Sequence, residues 1–352
     1  MEIDSILREC IEKAASDLLI IADSPLMIRR GGKLSLLNEK PLSAEESKKL
    51  IYSLLTEDQQ TRFEKEKELD SSYHLQGVSR FRVNAHYQRG SVAASLRTIP
   101  EQIPSLESLR LPAAATDFIK EPRGLVLVTG ATGSGKSTTQ AAMIDVINHS
   151  RSCHIITIED PIEFIHNNDR SVIEQREVGF DTDSFTNALN RVLRQNPDVI
   201  LIGEMRELDT ISTAVTAAET GHLVISTLHT NDAVQTIDRI VDVFPPHQQN
   251  QIRIQLSMTL QGVICQQLIP RSDGMGLVVA AEVLKVNPAV RNIIRKGSTQ
   301  EIYSMMEIGV KQGMQTMDMA LRDLYRDGLI KYEDAIAKAI NQDNLEKMLA
   351  KQ

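Results

Sequence analysis

The chain has 352 residues, with 39 Lys and Arg against 47 Asp and Glu, for a formal net charge of -8. That length allows two domains with a core in each, and the acidic balance speaks against a protein whose main task is gripping nucleic acid, which needs a basic excess. Cys10, Cys153 and Cys265 are far apart with no C-x-x-C pair, no apolar run nears the ~20 residues of a membrane span, and Met1-Glu2-Ile3-Asp4 is too acidic for a signal peptide. The expectation is therefore a soluble intracellular chain without zinc site or disulfide framework.

From Met1 to Ala14, Ile3, Ile6, Leu7 and Ile11 recur at helical spacing and predict an amphipathic helix. Leu18 to Ala22 and Met27 to Arg30 read as short strands around the turn Asp23-Ser24-Pro25. A second helix starts near Ser43, where Ser43-Ala44-Glu45-Glu46 has capping-box spacing, and runs to about Leu55. In Arg80 to Gln88 apolar and polar residues alternate, so Phe81, Val83, Ala85 and Tyr87 face a core while Arg80 and Arg82 face away. A second run, Ser91 to Ile99, follows Arg89-Gly90. A hairpin with that two-residue turn sets Arg82 opposite Arg97. Like charges directly opposite on a sheet are destabilising, so the pair makes sense beside an anion; the alternatives are a solvated basic face or another register. Strands and helices together predict a small α+β domain over 1–100.

Pro100, Pro104 and Pro112 punctuate a linker, placed at 101–114, and a second domain is expected over 115–352. Its centre is Gly130-Ala131-Thr132-Gly133-Ser134-Gly135-Lys136-Ser137, which matches the phosphate-binding loop G-x-x-x-x-G-K-[ST]. Gly124 to Thr129 reads as a buried strand before it and Thr138 to Asn148 as a helix after it. In that context backbone N–H groups cradle phosphate oxygens, Lys136 reaches the β- and γ-phosphates, and the Ser137 hydroxyl can ligate Mg²⁺.

Three further runs, His154 to Ile158, Val199 to Ile202 and Leu223 to Ser226, are apolar on both faces, as central parallel strands are. Chemistry in such sheets gathers at the carboxyl ends of the strands. The first run leads into Glu159-Asp160-Pro161-Ile162-Glu163, three carboxylates that could neutralise Mg²⁺ or orient water, or a capped turn stiffened by Pro161. The second leads into Gly203-Glu204-Met205-Arg206, the place of a Walker-B carboxylate, with a glutamate long enough to hold Mg²⁺ through water. His222 and His229 bracket the third. A lone histidine is usually a satisfied core or surface residue, and His222 reads so, whereas His229 sits where a γ-phosphate sensor would belong. Beyond Pro245-Pro246, Gln249 to Leu268 is predicted helical from Ile252, Leu256, Leu260 and Ile264 at four-residue spacing. Gly276 to Val286 is read as a last strand, and from about 288 the chain is read as helical with breaks at Gly297, Gly313 and Gly328.

These motifs together resemble the PilT-type ATPases, the retraction motors of type IV pili within the secretion-ATPase superfamily. Besides the phosphate loop, the acidic box is matched by Thr157 to Phe164, the atypical Walker B by Asp198 to Arg206, and the histidine box by Gly221-His222 through Leu228-His229-Thr230. The resemblance implies an α/β fold: a RecA-like P-loop ATPase domain, a smaller PAS-like N-terminal α+β domain and a helical C-terminal region. It implies Glu163 as the general base orienting water, Glu204 with Ser137 at Mg²⁺, His229 as γ-phosphate sensor, and Arg82 and Arg97 as arginines offered to the nucleotide. Thr132, Gly133, Ser134, Gly135, Lys136, Ser137, Thr138, Arg80 and His222 are implied to bind ATP. Arginine offered to a transferring phosphoryl group is worth on the order of 10³ to 10⁵ in rate. Ala289 to Lys296 resembles the retraction-associated helix, with Lys296 where the family commonly has glutamate; without the family it is an amphipathic helix with two exposed arginines.

The implied protein is a homo-hexamer at the cytoplasmic face of the inner membrane. It acts on pilin indirectly through a membrane platform protein, with ATP and Mg²⁺ as cofactors and no nucleic acid. Pilus-assembly and type II secretion ATPases usually add an N-terminal domain and a four-cysteine zinc insertion, neither of which is present. A PilU-like accessory ATPase shares the same motifs. A nucleotide-binding scaffold without turnover would not need Lys136, Glu163 and Glu204 together. A DNA translocase is opposed by the net acidity and the absence of tryptophan.

Overall fold

The computed structural model describes residues 2–99 and 102–350; Pro100 and Glu101, at the start of the expected linker, lie outside the described residues. The chain divides into two compact units, Met1–Gln102 with Pro161–Ile165, and Ile103–Asp160 with His166–Gln352.

In the first unit Ile3, Ile6, Leu7 and Cys10, one face of α1 (Ile3–Glu12), are buried as their spacing predicts. They share a core with Leu18, Ile20, Phe81 and Leu96, each such side chain contributing ~1.5–3 kcal/mol by leaving water. The strands β1 (Asp17–Ile20), β2 (Met27–Arg30) and β3 (Lys33–Leu36) precede α2 (Ala44–Tyr52) and α3 (Glu57–Glu66). The capping box at α2 forms: the Glu46 N–H donates to Ser43 Oγ (3.1 Å) and the Ser43 N–H to Glu46 Oε2 (2.8 Å). β4 (Glu68–Leu75), β5 (Ser79–Gln88) and β6 (Ser91–Ile99) complete an antiparallel sheet of order β3-β2-β1-β6-β5-β4. The turn between β5 and β6 is the two-residue turn expected, with Arg89 and Gly90 at φ of 49° and 81°, the paired positive values of a type I′ turn. Its register sets Arg82 directly opposite Arg97.

The second unit runs α4 (Ala114–Phe118), β7 (Gly124–Thr129), α5 (Lys136–Ser150), β8 (His154–Glu159), β9 (Val172–Glu177), α6 (Phe185–Val192), β10 (Val199–Ile202), α7 (Leu208–Glu219), β11 (Leu223–Leu228), α8 (Ala233–Asp242), α9 (Pro246–Thr259), β12 (Leu260–Pro270) and β13 (Leu277–Lys285). The sheet order is β13-β12-β7-β11-β10-β8-β9, parallel throughout except for the antiparallel pair β12–β13. Every residue of β7, β10 and β11 is buried, because helices cover both faces. Alternate residues of β7 serve opposite cores: Leu125 and Leu127 pack with Ile211, Ile237 and Leu256, and Val126 and Val128 with Phe118, Met143 and Ile144. This is the α/β arrangement expected from the sequence.

The helix expected over Gln249 to Leu268 is corrected. Only its first part, to Thr259, is helical, and Leu260–Pro270 is a strand inserted between β7 and β13. Gly262 lets the strand fit this slot, since a Cβ there would run into the Phe118 ring and the Leu284 carbonyl. The strand brings backbone so close to its neighbours that only glycine fits.

After β13 follow α10 (Pro288–Lys296), α11 (Ile302–Ile308), α12 (Met317–Arg326), α13 (Tyr332–Lys338) and α14 (Gln342–Ala350). The pair of exposed arginines expected on α10 is corrected to one. Arg291 is half-buried, and its Nη1 donates to the carbonyls of Ser257 (2.9 Å) and Met258 (2.7 Å), the last turn of α9. The cation thus satisfies carbonyls that lack partners within their own helix.

Candidate active site

The loop between β7 and α5 is shaped by its first glycine. Gly130 has φ 142°, and a Cβ on it would strike the Gln266 carbonyl and Ser134 Oγ. The first i→i−4 bond of α5 runs from the Thr139 N–H to the Gly135 carbonyl (3.0 Å), so the N–H groups of the preceding turn point out of the helix end without an intrahelical acceptor. Together with the helix dipole this end attracts an anion. Lys136 is buried, and its Nζ donates to the carbonyls of Gly130 (2.9 Å) and Ala131 (3.0 Å) across the loop. Thr132 and Gly133 are exposed at the loop tip, and Ser137 and Thr138 are half-buried in the first turn.

The neighbouring strands bring two more expected residues to the same carboxyl edge. β11 lies beside β7 and β10 beside β11, at about 4.8 Å per strand. His229 follows β11 and Glu204 follows the end of β10. The Glu204 carboxylate is gripped by Arg206 Nε (2.7 Å) and His229 Nε2 (3.2 Å). A carboxylate here only accepts, so Nε2 carries the imidazole proton in that contact. The loop after β10 is pinned in turn, with Thr227 Oγ1 donating to the Gly203 carbonyl (2.6 Å) and the Met205 N–H to the Thr227 carbonyl (3.0 Å). One strand further, Glu159 ends β8 and its Oε1 accepts from Thr157 Oγ1 (2.6 Å) and Gln175 Nε2 (3.2 Å).

His222 is not brought to this edge. It precedes β11, where its Nδ1 donates to the Ala217 carbonyl (2.9 Å). With β11 between them, the seven steps from His222 to His229 span about 23 Å at ~3.3 Å per residue. Within its own chain it serves the amino end of the sheet, away from the phosphate loop.

The remaining expected residues belong to the first unit. Glu163 falls in Pro161–Ile165, the segment grouped with that unit, and its half-buried carboxylate has no hydrogen bond or ion pair among the described residues. Arg82 is exposed and likewise has none, while Arg80 Nη2 donates to Ser72 Oγ (2.6 Å). Arg97 Nε donates to Asp17 Oδ1 (3.0 Å), so the like-charge pair Arg82–Arg97 has a counter-charge inside the chain.

Three contributors escaped the sequence reading. Gln266, buried on β12, donates through Nε2 to Thr139 Oγ1 (2.9 Å) and steadies the first turns of α5. Asp232 caps α8 by accepting from the Gln235 N–H (2.7 Å). With Thr132, Gly133, Ser134 and Leu268, these two residues line a cavity of ≈ 500 Å³ beside the loop. Glu282 is fully buried on β13, its Oε1 accepting from the Ala233 N–H (2.8 Å) at the start of α8. It stands opposite Cys265, whose Sγ accepts from Thr129 Oγ1 (3.0 Å), the last residue before the loop. Burial pushes its carboxyl up to about 7. One signal for it was present: a lone glutamate in the apolar run Leu277 to Leu284.

A family model described as Type II/IV secretion system protein matches residues 1–337. The type IV pilus retraction ATPase PilT of Pseudomonas aeruginosa is 46% identical over 344 residues, 98% of this chain and 100% of that protein. The type IV pilus ATPase PilU of the same organism is 44% identical over 349 residues, 99% of this chain and 91% of that protein. A crystal structure of the pilus retraction motor PilT with bound ADP superimposes with a TM-score of 0.93 at 48% identity, covering 99% of each chain. The chain belongs to the Type II/IV secretion system protein family, and along nearly its whole length it is a homologue of the PilT-type ATPases.

Proposed function

We propose that this chain is an ATPase motor that hydrolyses ATP with Mg²⁺ to power type IV pilus retraction. It would work as a hexamer at the cytoplasmic face of the inner membrane, acting on pilin through a platform protein. The observation that carries the reading is the convergence of the Lys136 loop, His229 and Glu204 at the carboxyl edge of three adjacent strands, with the last two in hydrogen-bond contact.

In this reading the amino end of α5 binds the β-phosphate, and Lys136 exchanges its loop carbonyls for phosphate oxygens. His229, oriented by Glu204, reads the γ-phosphate. Glu163 orients the attacking water, and Arg82 and Arg97, with Arg80 beside them, meet the charge that develops on the transferring group. Ser137 and Glu204 would hold Mg²⁺ through oxygen donors of the kind that cation takes. When bound, Mg²⁺ neutralises phosphate charge.

The direct test is phosphate release under Mg²⁺-ATP, wild type against Lys136→Ala and Glu204→Gln, followed by deletion in the native host. Hydrolysis lost in both variants, with excess surface pili and lost surface motility on deletion, is expected. Bald cells would make the protein an assembly motor, and no hydrolysis by the wild type would make it a scaffold. The near-equal likeness to PilU supports a second reading, an accessory retraction ATPase. Restoration of retraction by this protein alone, in a host lacking its own retraction ATPases, separates the two.

A further inference from the structure

The antiparallel registers of the first unit align one residue from each of four neighbouring strands into a single row: Arg29 on β2, Asp17 on β1, Arg97 on β6 and Arg82 on β5. Three cations and one anion thus share one row of the sheet, and the anion is the most buried of them. The Asp17 side chain is 15% exposed, against 40% for Arg29 and 73% for Arg97. Both oxygens of its carboxylate have partners. Oδ2 accepts from Ser16 Oγ (2.8 Å) and faces Arg29 Nε (3.6 Å), while Oδ1 accepts from Arg97 Nε (3.0 Å). Arg29 is held on its other side, its Nη1 donating to the Gly32 carbonyl (3.1 Å). The aspartate is therefore a fixed post rather than a mobile partner.

What it fixes is the direction of Arg97. A guanidinium gripped at Nε alone keeps both Nη groups, the fork that matches a phosphate oxygen pair, turned away from the grip. Among the described residues Arg97 makes no other side-chain hydrogen bond, and Arg82 beside it makes none. Two donor forks side by side with one internal counter-charge behind them accept a further anion at little cost in repulsion.

We infer that Asp17 is a positioning residue that aims Arg97, so that the Arg97 and Arg82 forks together clamp a nucleotide phosphate. The inference rests on the proposed role of the two arginines and goes beyond it: the clamp has a built-in orienting carboxylate, and Asp17, Ser16 and Arg29 belong to its support. In this assignment Asp17 does not itself meet the phosphate, so the loss of kcat on its removal should come through Arg97. The charge it cancels would also return to the row, drawing the anionic substrate in more strongly.

The test is steady-state ATP hydrolysis by the full-length protein in its assembled form, comparing Asp17→Ala, Asp17→Asn, Arg97→Ala and the double variant Asp17→Ala/Arg97→Ala. Asp17→Ala should lower kcat about tenfold while leaving KM unchanged or lower. Asp17→Asn keeps an oxygen that accepts from Arg97 Nε, and should restore kcat to within about threefold of wild type. In the Arg97→Ala background, Asp17→Ala should change kcat less than twofold. A fold-wide role for Asp17 would instead add its loss to that of Arg97→Ala and lower the melting temperature of both Asp17 variants; that outcome overturns the inference, as does an unchanged kcat in Asp17→Ala. If Arg97→Ala itself hydrolyses ATP at the wild-type rate, the proposed role of the arginines fails first, and the two failures stay distinct.

Discussion

Replacing Glu282 by glutamine isolates the cost of a buried carboxylate. The side chain is fully buried on β13, with one oxygen accepting from the Ala233 N–H and the other, Oε2, without a hydrogen-bond partner. Burial raises its carboxyl from 4.5 to about 7, opposed by the Ala233 hydrogen bond and reinforced by the Asp232 charge; Tyr303 also faces it. A carboxyl whose folded value lies above its unfolded one stabilises the fold fully below pH 4.5. That contribution shrinks as pH rises and is gone above about pH 7, where the folded state must ionise too. At ~1.4 kcal/mol per unit the loss is on the order of 3 kcal/mol, or roughly 6–12 °C in Tm for a unit of this size. Glutamine resembles the protonated acid and has no such dependence. Thermal unfolding at pH 5 should find wild type and Glu282→Gln within about 1 kcal/mol, and at pH 8 the variant should be more stable by about 3 kcal/mol. An equal difference at both pH values would show that ionising this carboxyl costs the fold nothing. A variant that loses ground at pH 8 would mean that the ionised carboxylate is well held by the amides around it.

Three further outcomes follow from the packing and the site. Arg291→Ala strips two carbonyls at the end of α9 of their donor and should cost about 1–2 kcal/mol in urea unfolding, against less than about 0.5 for the exposed Arg295→Ala; equal costs would show that Arg291 does not cap α9. Gly262→Ala places a methyl against the Phe118 ring, so unfolding should be easier by at least about 2 kcal/mol, with part of that recovered in Gly262→Ala/Phe118→Ala; simple addition of the two losses would deny the contact. Glu204→Gln keeps the side chain's shape but weakens its hold on His229 and, in the proposed function, on Mg²⁺. ATP hydrolysis should fall roughly 10²-fold or more while nucleotide binding, followed with a fluorescent ATP analogue, stays within about threefold; undiminished turnover would remove Glu204 from the site.

Much of this molecule is written in local patterns. The loop from Gly130 to Ser137 and its flanking strand and helix follow from glycines and a short apolar run, and the capping box at Ser43 from two side chains three residues apart. The register that pairs Arg82 with Arg97 follows from a turn only two residues long, because such a turn leaves one alignment of the flanking strands. In each case the residues that decide the structure are neighbours in sequence, so the energy that selects it is local.

Elsewhere the deciding partner is far along the chain. Ile252, Leu256, Leu260 and Ile264 carry a helical period through Thr259 and past it, and a strand apolar on both faces has no alternation to contradict that period. Only the slot between β7 and β13 makes Leu260–Pro270 extended. The charge that orients Arg97 sits 80 residues away at Asp17, and the imidazole that meets Glu204 is 25 residues on at His229, across a strand pair. The helix carbonyls that take up Arg291 belong to α9, 33 and 34 positions earlier. Sequence patterning records which side chains leave water, since that depends on each residue's own chemistry. Which polar groups then find one another depends on strand order and helix packing, and those are settled only when the whole sheet closes.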